Sequence, residues 1–131
     1  MSAAQPHLFS NVPDKDYCDF FKKSELQPEK VVKFLTYKKE DIATATDTPI
    51  TSVRYDEKMP TELKLRLTEW ANAINLVASH FKDLDKTMLW FTIPNPMLGD
   101  ISPRDMIRVG RFKKLQKFIQ TALLENTRSN G

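Results

Sequence analysis

The chain has 131 residues, of which 40% are hydrophobic and 28% charged, with a net charge of +3 and a sequence pI near 9.0. That balance fits one folded domain, or two small ones sharing a core, and excludes a disordered chain. No apolar run approaches the ~20 residues that span a bilayer. Cys18 stands alone in the sequence, which excludes an internal disulfide and points to a reducing compartment, the cytoplasm.

Taken in chain order, the first residues, Met1 to about Val12, read as a disordered arm. They have neither the basic n-region nor the long apolar h-region of a secretion signal. "DKDYCDFFKK" from Asp14 reads as a short helix with Tyr17, Phe20 and Phe21 on its sticky face. Pro28 opens a helix carrying Val31, Val32, Phe34 and Leu35. A second short helix runs from Lys38 to Ala45, and Pro49 opens a third through about Tyr55. The clearest helix begins near Thr61, with Thr61 as its N-cap. There Leu63, Leu67, Trp70, Ile74, Val77 and Phe81 recur at spacings of three and four. Asp85 can cap a short helix carrying Met88, Leu89, Trp90 and Phe91.

Next comes "LWFTIPNPMLGDISPRDMI", Leu89 to Ile107, which concentrates Pro94, Pro96, Gly99 and Pro103 behind an aromatic pair. Each proline biases the residue before it away from helical geometry, and Gly99 permits a positive-φ turn. Ser102 then Pro103 is a cap followed by a first helical residue, starting a helix that Gly110 ends. Such a loop is ordered rather than a wet linker. A last helix turns Phe112, Leu115, Phe118, Ile119 and Leu123 inward and its cations outward. No segment alternates as a strand does, so the fold is read as all-α. The units are an arm over 1–25, a helix-turn-helix-like module over 26–60, and the long helix with the loop and last helix over 61–131.

Little in the chain is built for catalysis, and no enzyme or cofactor is expected. His7 and His80 have no ligating neighbours at metal spacing, Cys18 has no nearby histidine, and three glycines cannot make a phosphate loop. "DIATATDTPITSVR" offers a degenerate helix-turn-helix, with Val53 as its anchor eleven residues after Ile42. Thr51, Ser52, Arg54 and Tyr55 would then face outward to DNA. Against this, Asp47 stands where the turn usually takes glycine, and nearby acids offset Arg54 and its lysine neighbours. The basic excess lies later: Arg104, Arg108, Arg111, Lys113, Lys114, Lys117 and Arg128 face only Asp105 and Glu125.

The order of these parts, with Trp90, Asn95, Pro96, Leu98, Gly99 and Pro103 matching a tryptophan and an "N-P-x-L-x-G-x-x-P" signature, resembles the Xre/MbcA/ParS antitoxins. Gly99 directly follows Leu98, one residue earlier than in many members. The resemblance runs from about Val31 to Leu124 and is stronger in the second half. It implies a homodimeric protein that binds and neutralises a RES-type, NAD-consuming toxin and often binds its own promoter. It also implies that Trp90 through Ile107, with Arg104, shape the toxin-binding domain, and that the C-terminus with Arg128 approaches the toxin's cleft. Two other readings stay open: a stand-alone helix-turn-helix regulator, and an adaptor that reuses the toxin-binding domain for another partner.

Overall fold

The computed structural model describes residues 15–130, with side chains over 15–123. The expected N-terminal arm and the C-terminal tail side chains lie outside that range. The described chain is mostly helical. Six helices run α1 (Pro28–Leu35), α2 (Lys39–Thr46), α3 (Thr61–Phe81), α4 (Leu84–Thr92), α5 (Pro103–Arg108) and α6 (Phe112–Asn130). A small hairpin precedes them, in which β1 (Phe21–Lys22) pairs antiparallel with β2 (Glu25–Leu26), Phe21 opposite Leu26.

The hairpin corrects the expected helix from Asp14; its strands are two residues each, and the fold stays mostly helical, consistent with the all-α reading. The Asp16 carboxylate accepts from the backbone N–H of Phe20 at 2.9 Å and of Phe21 at 2.8 Å. A side chain that captures amides four and five residues on competes with a helix for them. Asn75 of α3 then fixes this turn from the core, accepting from Cys18 N and donating to Asp16, at 2.8 and 2.9 Å. Lys23 and Ser24 both hold positive φ, the geometry of a tight two-residue hairpin turn.

α3 is the axis of the molecule. The expected stripe of Leu63, Leu67, Trp70, Ile74 and Val77 is buried, but so is every residue from Trp70 to Asn75. A helix buried on all sides needs neighbours around its whole circumference. The small Ala71, Ala73 and Ala78 let those neighbours come close. α1 packs on one side and α4 and α6 on others. Two cap assignments shift by a residue or two. Pro60, not Thr61, precedes α3, and Asp83, not Asp85, caps α4 by accepting from Lys86 N at 3.0 Å.

The units read on either side of residue 60 share one core. One continuous hydrophobic cluster draws on Phe20, Val31, Leu35, Ile42 and Val53 from before it and on Leu67, Phe91, Ile107 and Leu115 from after it. Polar contacts cross it as well. The Tyr37 hydroxyl donates to the Arg104 carbonyl, and the Arg104 guanidinium lies over the Tyr37 ring, 5.1 Å from its centroid. Tyr37 in turn meets Trp70 edge-on at 6.0 Å.

Candidate functional site

The segment from Leu84 to Arg108 is built to hold a shape. α4 stops because Pro94 forces Ile93 into extended geometry, φ −92 and ψ 135. Asn95 then organises the loop. Its N–H donates to the Ile101 carbonyl at 3.1 Å, its carbonyl accepts from Leu98 N and Asp100 N, and its side chain accepts from Met97 N at 2.9 Å. Between these bonds Pro96–Leu98 make one 3₁₀ turn. Gly99, at φ +84, and Asp100, at φ +63, carry the chain out of it. Gly99 faces open space, so backbone conformation rather than crowding selects glycine there. The Ser102 hydroxyl accepts from Asp105 N at 3.1 Å and caps α5, whose Pro103, Met106 and Ile107 are buried.

Side chains divide across this segment. Phe91 is fully buried and meets Phe34 edge-on at 6.0 Å. Trp90 is half-buried, stacked over Phe118 of α6 with rings 14° apart. Together with Val77, Phe81 and Leu123 it lines an apolar groove of about 260 Å³. On the outside, Leu84 is 51% exposed, Leu89 55%, Ile93 51% and Met97 77%. Leu89 and Ile93 are one helical turn apart, and Met97 follows on the fixed turn. These exposed apolar side chains are carried on a pre-ordered frame, which loses little more order if a partner covers them.

The sequence-expected residues of this region therefore have different jobs. Trp90 and Leu98 are half-buried and pack against the core. Asn95, Pro96 and Gly99 shape the turn, and Pro103 is buried in the first turn of α5. Arg104 belongs mainly to the fold: its Nε donates to the Leu35 carbonyl and its Nη2 to the Thr36 carbonyl at 3.1 Å. Those groups close the C-terminal end of α1, where Thr36 takes the left-handed conformation. The Arg128 side chain lies outside those described; the backbone of α6 continues to Asn130. Sequence reasoning missed Leu89, Ile93 and Met97. A signal was present, since Met88, Leu89, Trp90 and Phe91 are four consecutive apolar residues, and these cannot all face one side of a helix.

The residues expected to read DNA are placed less favourably. The expected helix from Pro49 to Tyr55 is a single 3₁₀ turn, Ile50–Ser52. β-Branched Thr48, Ile50, Thr51 and Val53 disfavour continuing it. Asp56 completes a tight turn by accepting from Lys58 N at 3.0 Å and from both Arg54 Nε and Nη2, at 2.8 and 2.6 Å. That pairing holds the Asp56 carboxyl below its ordinary value. Val53 is buried as the expected anchor, Tyr55 is half-buried, and Thr51 is exposed. Thr51 to Tyr55 thus do not lie on a helix of the length a recognition helix has.

Comparison of the chain with protein-family models, curated proteins and solved structures gave no significant match. Among the described residues, no group of His, Cys, Asp and Glu is placed to hold a metal ion. No described helix is long and apolar enough to cross a membrane.

Proposed function

We propose that this is an antitoxin-like binding protein that neutralises a RES-type, NAD-consuming toxin. The exposed strip of Leu89, Ile93 and Met97 on its locked loop is the surface that does so. The single observation that carries this reading is the contrast within one segment. Phe91, Pro103 and Ile107 anchor it in the core, while Leu89, Ile93 and Met97, and Leu84 at its start, are left exposed to water. Solvent-exposed apolar side chains are worth roughly 1–2 kcal/mol each when a partner covers them, and a frame already ordered loses little more on binding. The matching tryptophan and N-P-x-L signature of the antitoxin family falls on this same segment, which supports the choice of partner. The family's homodimer and promoter-binding properties are carried here as parts of the same proposal. The turn at Thr51 to Tyr55 lends the promoter part little support.

The test is direct. Purified chain is mixed with a RES-type toxin, and NAD consumption is followed with complex formation on a sizing column. Inhibition in a stoichiometric complex supports the reading. Ile93→Asp with Met97→Asp, on a chain that still melts normally, is expected to abolish both. Full inhibition by that double variant would remove the strip from the interface.

A further inference from the structure

We infer that the outer face of α6, carrying Lys113, Lys114 and Lys117 with Arg111 just ahead of it, is a docking surface for the phosphate backbone of duplex DNA. The inference deepens the promoter-binding part of the proposal above, moves it away from the turn at Thr51 to Tyr55, and stands apart from the toxin-binding part.

The placement follows from the helix period. Phe112, Leu115 and Ile119 are buried and define the inner side of α6. At 100° per residue, Lys113, Lys114 and Lys117 fall within one arc on the opposite side. All three, and Arg111, are exposed. No acid stands between Arg111 and Leu123. Asp47 and Glu69 line a cleft with Lys113 and Arg66. Arg66 already pairs with Glu69 at 3.3 Å. Lys114 and Lys117 do not line that cleft. Cations in the first turn also oppose the helix dipole, and Arg111 ahead of α6 offers no side-chain acceptor as a cap. The first turn holds no acid to compensate. These charges cost helix stability where acids would add to it, and an anionic partner offsets that cost.

Two alternatives fit less well. A membrane-surface helix keeps an apolar face to insert, whereas α6 spends its apolar face on the core. A protein interface needs apolar or aromatic anchors, which this arc lacks and the Leu89–Met97 strip has. A regular row of cations without anchors complements a regular row of phosphates.

The experiment uses the full chain and a fluorescent random-sequence duplex of about 20 base pairs, with anisotropy read across a salt series. The expected result is weak binding whose log–log salt slope is about −3 to −4, close to 0.9 per neutralised phosphate for four cations. Lys114→Glu with Lys117→Glu should weaken binding at least about tenfold at about 50 mM salt and flatten the slope by about two. Arg54→Ala should change neither. The Lys114→Glu single variant should melt at the same temperature as the parent or roughly 1–5 °C higher, because it removes a charge opposed by the dipole. Lys114→Gln with Lys117→Gln repeats the test if the double glutamate variant does not fold. Four results would each overturn the inference: no duplex binding at low salt; binding indifferent to Lys114 and Lys117; loss of binding through Arg54→Ala; or tighter binding to anionic vesicles than to duplex. None of these readings involves the toxin, so failure here leaves the neutralisation test intact.

Discussion

Replacing Arg104 with alanine takes the charged donor from the Leu35 and Thr36 carbonyls at the end of α1 and the cation from the face of Tyr37. We expect Arg104→Ala to cost about 1–3 kcal/mol in urea unfolding, and Arg104→Lys to recover only part of that. An ammonium cannot reproduce the forked donor geometry. Partner binding by the folded fraction should be unchanged; a loss of affinity at normal stability would return Arg104 to the interface. The sequence shows a cation beside a binding motif, and nothing in its spacing reveals a helix end 69 residues earlier. Cys18 is legible only as a lone thiol. In the fold, burial and then the Asp16 charge push its pKa up to about 12, and burial also raises that of the Tyr37 hydroxyl. Both groups keep their protons in the folded state at a pH where the unfolded chain gives them up. Stability should therefore be intact below about pH 9 and decline above it. Urea midpoints across pH 8 to about 10.5 read this. Cys18→Ala should flatten the first part of the decline, and an identical slope in that variant would count against the assignment.

Two segments of similar length and turn content, Thr46–Lys58 and Ile93–Ser102, fold in different ways. In the second, prolines, Asn95 and Gly99 each do what their chemistry favours, so its outline could be read from the sequence. Ser102→Ala should cost about 1 kcal/mol as a lost N-cap, and Gly99→Ala about as much, because alanine must adopt a positive φ there. Thermal melts check both, and a neutral Gly99→Ala would mean the turn relaxes. In the first segment, Pro49 is a reasonable helix opener and Val53 a correct anchor. The β-branched run and the reach of Asp56 to Arg54 and Lys58 decide for a turn instead. Propensity differences of a few tenths of a kcal/mol per residue settle such short elements, and the exposed Arg54–Asp56 pair adds to them in the same direction. The Asp14 segment was misread for a related reason: the deciding partner of Asp16, Asn75, is 59 residues away.

At the scale of the whole molecule, the long helix and the order of elements were legible because a stripe repeated over six positions is hard to mistake. Which residues of the short elements build the shared core was not. Short elements before residue 60 look self-sufficient in sequence, yet Val31, Leu35 and Ile42 bury their side chains in the same cluster as Leu67 and Ile107. A shared core predicts one cooperative transition. Ile42→Ala should lower stability by about 2–5 kcal/mol and shift tryptophan fluorescence and far-UV circular dichroism together. Separate transitions would mean two independent halves. The clasp between α1 and α5 also matters while the protein is being made. The Arg104 groups that complete the end of α1 emerge from the ribosome several seconds after Leu35, at ordinary elongation rates of about 5–20 residues per second. During that interval α1 has an unfinished end and only part of its packing. The end of α1 is thus completed only once α5 has been made, so an amino-terminal fragment that stops before Arg104 lacks the donors to the Leu35 and Thr36 carbonyls.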